Sequence, residues 1–332
     1  MRKIFKKAAD NNFLKELFFT IIYLPVINPL YRKIYDIKIR KRVVNFKLAD
    51  LIVSIEPSNT CNARCVMCPY NKMTRPKEIM PIELFKKIVD DCLREGVKNF
   101  NLNFYNEPFL DPLIFERIKY LNLKSVRVKL FSNGSTLNKE KAEELLKSGL
   151  DEVVFSVDSH IKEVYEKIRK GLNFDAVVSN ISYLMNRRNQ LKLTKPRVKV
   201  VFVRQKENKA ELEGYKKFWR DKVDKIIISF DDNRNATSEF FSKHQKRMPF
   251  PCNKLWAELN VVSSGKVALC CIDYDAQEII GDFKKQSLKE IWNGEKFQNI
   301  REKHLSYQAN KILLCNSCVH PYRLNLRSWW RK

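Results

Sequence analysis

The sequence predicts an α/β protein: a parallel sheet curled into a full or partial barrel, followed by a smaller α+β unit. Three observations carry this. From residue 51, short β-branched runs alternate with helical segments whose apolar residues recur near i, i+3 and i+4. After Ser229 the alternation breaks into a polar stretch, and a second pattern begins near Cys252. The 332 residues exceed a usual domain of roughly 100 to 200, although a barrel of about 250 residues forms one. With 44% hydrophobic and 11% aromatic residues there is ample material for a packed core, which excludes global disorder.

Taken in order, strands are expected at residues 51–56, 98–103, 125–131, 152–158, 197–203 and 225–229. Helices are expected at 81–95, 112–121, 138–148, 161–170 with 174–188, and 208–220. Parallel strands need crossover connections, and repeated right-handed crossovers curl the sheet and place its chemistry at the carboxyl ends of the strands. Residues 49–230 would form this barrel and 231–251, with Met248, Pro249 and Pro251, a linker. A second unit at 252–323 would hold a hairpin, 258–262 and 266–270 around Ser263, Ser264 and Gly265, then a helix from 287 to about 303. Residues 324–332 read as a basic tail.

Residues 1–48 precede the barrel, with a basic start and an apolar run from Leu17 to Ile27 interrupted by Pro25. The run lacks a small-residue cleavage site and is too short to span a bilayer, which takes about 20 apolar residues. What remains is an amphipathic helical extension followed by the basic segment Lys38 to Arg42, either packed on the barrel or lying at a membrane surface. Lys and Arg number 63 and Asp and Glu 38, a net charge of +25 that would attract nucleic acid, anionic lipid or a phosphorylated substrate. Lysine spread over solvated helix faces, as from Lys139 to Lys147, explains the same number without a partner. The nine cysteines argue for metal ligation or catalysis in a reducing compartment. The expected location is therefore cytoplasmic, with peripheral contact at the inner face of the membrane as the alternative for the amino-terminal helix.

Cys61, Cys65 and Cys68 give C-x3-C-x2-C directly after the first strand, in a loop from Pro57 to about Lys77. Three thiolates on one loop can hold three irons of a cubane and leave the fourth iron without a protein ligand. Structural zinc wants four closed ligands, and this loop offers no histidine. Here the chain resembles the radical S-adenosylmethionine (SAM) superfamily, over essentially residues 51 to 320. The resemblance implies a partial (β/α)6 radical SAM barrel and a 4Fe-4S cluster at these three cysteines. Its open iron would chelate SAM and cleave it reductively to a 5′-deoxyadenosyl radical for hydrogen abstraction. The residue before the third cysteine, often aromatic in the family, is Met67, with Tyr70 just beyond.

Further positions follow the family pattern. NFYNEP, Asn103 to Pro108, ends strand two where the family has a Gly-Gly-Glu-Pro-like motif whose backbone binds the SAM amino group. Glu107 and Pro108 match, and Tyr105 and Asn106 replace the glycines. FSNG, with Ser132 and Asn133, resembles the family's Thr-Asn-Gly beside the SAM site. Ser156 and Asp158 end strand four and Arg169 follows in YEKIRKG, positions from which family members contact the SAM ribose or carboxylate. Each of these residues equally serves to end a strand or cap a helix, and the sequence leaves both readings open.

Cys252 and Cys270 bracket the hairpin, and Cys315 and Cys318 form a C-x2-C knuckle. Four cysteines suit a fully ligated cluster or a structural zinc, and Cys271 is the alternative to Cys270. Together with Gly281, Asp282 and SLKEIWN at Ser287 to Asn293, this region resembles the SPASM and twitch extensions of radical SAM enzymes, which implies a second, auxiliary 4Fe-4S cluster. No cysteine follows Cys318, so the resemblance is to the single-cluster twitch form, similar in spacing to aminocyclitol dehydrogenases. Cys92, on the first barrel helix, is expected in the core.

The reading is then a radical SAM oxidoreductase acting on a small polar substrate, a sugar, aminocyclitol or glycan intermediate, with the auxiliary cluster accepting an electron. A low-potential donor such as flavodoxin or ferredoxin is implied. A SPASM-type ribosomal-peptide maturase is the alternative. A zinc-dependent nucleic-acid-binding module, prompted by the charge, leaves the first cysteine loop unexplained, so nucleic acid is not an expected partner. The pattern assigns no substrate proton acceptor.

Overall fold

A computed structural model describes residues 21, 24–230, 250–316 and 318, so the amino-terminal basic stretch, most of the 231–251 segment and the 324–332 tail lie outside the described residues. The chain divides into two compact units, one within Lys47–Thr237 and Ala257–Gln298, the other within Met1–Phe46, Ser238–Trp256 and Asn299–Lys332.

In the first unit β1 (Ile52–Ile55), β2 (Asn99–Asn101), β3 (Arg127–Ser132), β4 (Glu152–Ser156), β5 (Arg197–Arg204) and β6 (Lys225–Phe230) pair in sequential order, all parallel. The sheet has β6 at one edge and does not close on itself, so the barrel is partial. Sequential order with right-handed crossovers puts every connecting helix on the same face. Those helices are α2 (Ile82–Arg94), α3 (Ile114–Leu123), α4 (Lys139–Lys147), α5 (Lys162–Ile168) with α6 (Phe174–Gln190), and α7 (Leu212–Trp219), after α1 (Ile27–Val44) of the other unit.

The strand alternation shows which face is which. Val53, Phe100, Val128, Leu130, Val153, Phe155, Val198 and Val200 are buried and face the helices. Their register neighbours, Asn99, Asn101, Arg127, Lys129, Glu152, Arg197 and Lys199, occupy the opposite, inner face. Helix α2 shows the matching helical pattern, with Leu84, Phe85, Ile88, Val89 and Cys92 buried, each such side chain contributing about 1.5–3 kcal/mol. Cys92 is thus a core residue. Asn138 and Asn173 cap α4 and α6, each accepting a backbone N–H three residues on, as helix starts require.

The hairpin forms as the pattern predicts, β7 (Glu258–Val261) and β8 (Lys266–Ala268) turning at Gly265, which takes φ +88°. It joins the main sheet: β7 runs parallel to β1, and β9 (Ile279–Asp282) follows β8 to make nine strands. The backbone groups of β1 that would otherwise lie at an open edge are thereby paired. A capping box of Ser287 and Glu290 starts α8 (Leu288–Asn293), which leads into α9 (Glu295–Leu305) and α10 (Leu313–Asn316). In the second unit Tyr35 of α1 donates to Pro251 O at 2.7 Å and Tyr307 donates to Asp36 at 2.6 Å. No helix among the described residues is long and apolar enough to cross a membrane.

Candidate iron-sulfur and SAM site

The loop after β1 carries Cys61, Cys65 and Cys68, all free thiols, at the carboxyl end of the strand. Tyr70 pins it: its hydroxyl accepts from Cys61 N at 2.8 Å and Lys77 Nζ at 2.8 Å and donates to Asn59 O. The loop is also paired with the segment after α5, Arg64 N donating to Lys170 O and Val66 N to Ile168 O. Gly171 (φ +88°) makes that approach possible, since a Cβ there would stand 3.3 Å from Asn62 O.

This pairing brings Arg169 beside the loop, with Nη1 3.6 Å from Cys65 Sγ. Asp158, just past β4, fixes the guanidinium through Oδ2 at 2.6 Å and is itself held by Val203 N at 2.8 Å. Burial pushes the Cys61 thiol up to about 12. Burial likewise raises Cys65, against which the Arg169 charge acts. Thiolates in so dry a pocket need a bound cation to persist, which is the chemistry of a metal-holding donor set. Among the described residues no three His, Cys, Asp or Glu side chains converge as ligands of one ion. A cubane does not require that, since each of its irons takes a separate thiolate.

Glu107 N donates to Thr60 O of the same loop at 2.8 Å. The Glu107 carboxylate is buried and accepts from Asn133 N at 2.6 Å, Ser132 Oγ at 2.7 Å and Phe109 N at 3.2 Å. Asn133 Nδ2 donates to Asn62 Oδ1 at 3.0 Å, so three strand ends meet the cysteine loop. Pro108 begins the short turn Pro108–Leu110, and Ser156 ends β4 half-buried on the inner face. Asn103 Oδ1, Asn106 Nδ2 and Gln205 Nε2, at the carboxyl ends of β2 and β5, are buried with no hydrogen-bond partner. Buried amides in that state are what a polar ligand at the strand ends would satisfy, so the residues fit SAM as well as a cluster.

In the second unit Cys252 N donates to His304 Nδ1 at 3.2 Å, and His304 Nε2 lies 3.4 Å from Cys315 Sγ. Cys318 N donates to Cys315 O at 3.2 Å, closing the knuckle. His304 had no signal in the sequence, where a lone histidine on a helix reads as a core residue. Cys270 and Cys271 belong to the first unit, where Tyr105 Oη donates to Cys271 O at 2.9 Å and Thr74 N and Oγ1 donate to Asp275 at 2.7 and 2.6 Å. Glu56, fully buried, takes both Arg75 nitrogens at 2.6 and 2.9 Å and steadies the loop from below.

A partial barrel whose first strand leads into a loop of three free thiols, Cys65 buried and Cys61 and Cys68 half-buried, defines a class of iron-sulfur protein built around SAM. Residues 55–213 match the family model of the radical SAM superfamily, and residues 252–319 match an iron-sulfur cluster-binding domain of the SPASM type. The chain belongs to the radical SAM superfamily and binds SAM and a 4Fe-4S cluster, with further iron-sulfur binding in its carboxy-terminal domain.

Among curated relatives, a tungsten-containing aldehyde ferredoxin oxidoreductase cofactor-modifying protein of Pyrococcus furiosus is 26% identical over 53% of this chain and 50% of its own. A probable GTP 3′,8-cyclase of Methanococcus maripaludis is 35% identical over 39% of this chain and 43% of its own. The chain thus spans half or less of these relatives. Among solved structures, BtrN in complex with AdoMet and 2-DOIA has a TM-score of 0.54 at 16% identity, over 80% of this chain and 92% of that one. Streptococcus suis SuiB bound to precursor peptide SuiA has 0.61 at 15%, over 81% and 70%. The likeness at these identities is one of fold.

Proposed function

We propose that the chain is a radical SAM oxidoreductase that oxidises a small polar substrate, such as a sugar, aminocyclitol or glycan intermediate. The observation that carries the reading is the three-cysteine loop at the end of β1, with the buried Arg169 against the buried Cys65. Cys61, Cys65 and Cys68 would hold the barrel cluster, and Cys252, Cys270, Cys315 and Cys318 a second one. When bound, the first cluster supplies the electron that cleaves SAM to a hydrogen-abstracting 5′-deoxyadenosyl radical, and the second supplies an acceptor for the electron released by substrate oxidation.

The chain's own residues orient and exclude. Glu107 locks the β2 and β3 ends together, leaving the Asn103 and Asn106 amides to face SAM, while Asp158 aims Arg169 at the cysteine loop. The first half of the inner face, with Asn99, Asn101, Lys129 and Lys199, suits the hydrogen-bonding groups of a polar substrate. A low-potential flavodoxin or ferredoxin would deliver electrons. Leu30, Ile34, Ile37 and Val44 are exposed on α1 among Lys33, Lys38 and Lys41, which supports peripheral contact with anionic lipid.

The test is anaerobic incubation of the iron-loaded protein with SAM, reductant and candidate aminocyclitols, sugars and sugar nucleotides deuterated at their carbinol carbons. Deuterium in 5′-deoxyadenosine supports the reading. Deuterium arriving only from labelled peptides would move the assignment to a peptide maturase.

A further inference from the structure

The inner wall of the barrel carries a charge imbalance that the cysteine loop does not use. Glu152 on β4 is 3% exposed. Its carboxylate takes cations from both neighbouring strands: Lys129 Nζ at 3.2 Å, Arg127 Nη2 at 3.4 Å, and Lys199 Nζ in direct contact. One carboxylate does not neutralise three cations. The Lys129 and Lys199 side chains are 27% and 13% exposed, so water screens the excess poorly.

The imbalance continues along the wall. A concavity of about 430 Å³ at the start of β5 and β6 is lined by Arg188, Thr194, Arg197, Lys199, Asp224 and Lys225. Asp224 is already held by Arg188 at 2.5 and 2.9 Å. Register puts Arg127, Lys129, Arg197, Lys199 and Lys225 on the one inner face with Glu152. Lys129 precedes the end of β3 at Ser132 by three residues, about 10 Å of strand. On the same face Phe131, Val154 and Val201 stand between these cations and the SAM end, an apolar layer that the rest of a small molecule held there would lie against.

We infer that this wall binds the anionic part of the substrate, a phosphoryl or carboxylate group, with Lys129 and Lys199 as anchoring cations and Glu152 as the residue that holds both ammonium groups inward. The inference deepens the oxidoreductase reading and rests on it for the substrate's role, but anion binding is measured without turnover.

Isothermal titration calorimetry of the anaerobic, iron-loaded full chain with inorganic pyrophosphate and, separately, malonate tests it at about 0.15 M salt. The expected result is saturable binding of at least one probe, weakened about tenfold by Lys129→Gln or Lys199→Gln through loss of a charge-assisted hydrogen bond. Lys289→Gln, at an exposed position of α8, should bind as the unaltered protein does. Arg127, with a side chain 62% exposed, is replaceable without threat to folding, and Arg127→Gln should weaken binding about threefold even if Lys199→Gln fails to fold. Preference for pyrophosphate assigns a phosphoryl group and preference for malonate a carboxylate. Saturation by neither probe, or equal binding by the unaltered protein and Lys129→Gln, would overturn the inference. An unaltered protein that cleaves SAM but binds neither probe refutes this inference alone, whereas an unaltered protein that cleaves no SAM refutes the reading of the cysteine site.

Discussion

Arg169 Nη1 stands 3.6 Å from Cys65 Sγ while its Nε is held by Asp158 Oδ2 at 2.6 Å. One buried guanidinium therefore joins the end of β4 to the cysteine loop. Removing it strands Asp158, which is fully buried, without its ion partner. Arg169→Met should cost about 3–5 kcal/mol in chemical denaturation, and adding Asp158→Asn should recover part of that. A double variant no more stable than Arg169→Met would show that Asp158 is satisfied some other way.

Glu107 accepts three donors from β3 and its own turn. Glu107→Ala leaves buried donors unpaired at about 1–3 kcal/mol each, so stability should fall by several kcal/mol. Equilibrium dialysis should show SAM binding weakened in a Glu107→Gln variant that still folds, because an amide cannot accept from all three donors. Unchanged SAM affinity in that variant would separate the Glu107 network from the ligand site.

Anaerobic reconstitution should load about eight irons per chain, as two four-iron clusters require. Cys61, Cys65 and Cys68 replaced together by Ala should leave about half. Burial holds the His304 imidazole down to about 4, so it is neutral at physiological pH and its single ring proton, kept off Nδ1 by the Cys252 N–H, faces Cys315. His304→Ala should therefore lower iron in the second set and spare the first. One equivalent of zinc in place of the second four irons would refute the auxiliary cluster.

Flotation with anionic liposomes at low and high salt, of the unaltered chain and a Leu30→Ser, Ile37→Ser variant, addresses α1, where both side chains are exposed. Salt-sensitive binding by the unaltered chain and less by the variant is expected. Binding by neither form ends the membrane proposal.

Much of this was legible in the sequence because it is local. The six parallel strands announce themselves by β-branched runs, the hairpin by Ser263 to Gly265, and the cysteine loop by its spacing. What escaped is set by distant pairings. Nothing in the 258–261 run says that it lies parallel to β1, 52–55, because either side of that pair reads as an ordinary half-buried strand. Glu152, Lys129 and Lys199 look like solvated charges until register puts them on one inner face. Glu107 was recognisable from its motif, but that its side chain turns to Ser132 and Asn133 depends on how the ends of β2 and β3 meet.

The central claim is most directly tested by reductive SAM cleavage. The iron-loaded protein, given SAM and a low-potential reductant without oxygen, should form methionine and 5′-deoxyadenosine. A folded Cys315→Ala, Cys318→Ala variant should retain that cleavage, since the reading places it at the loop of Cys61, Cys65 and Cys68, while Cys65→Ala should abolish it. A fully iron-loaded protein that forms no 5′-deoxyadenosine, or a Cys65→Ala variant that forms it at the unaltered rate, would contradict the account.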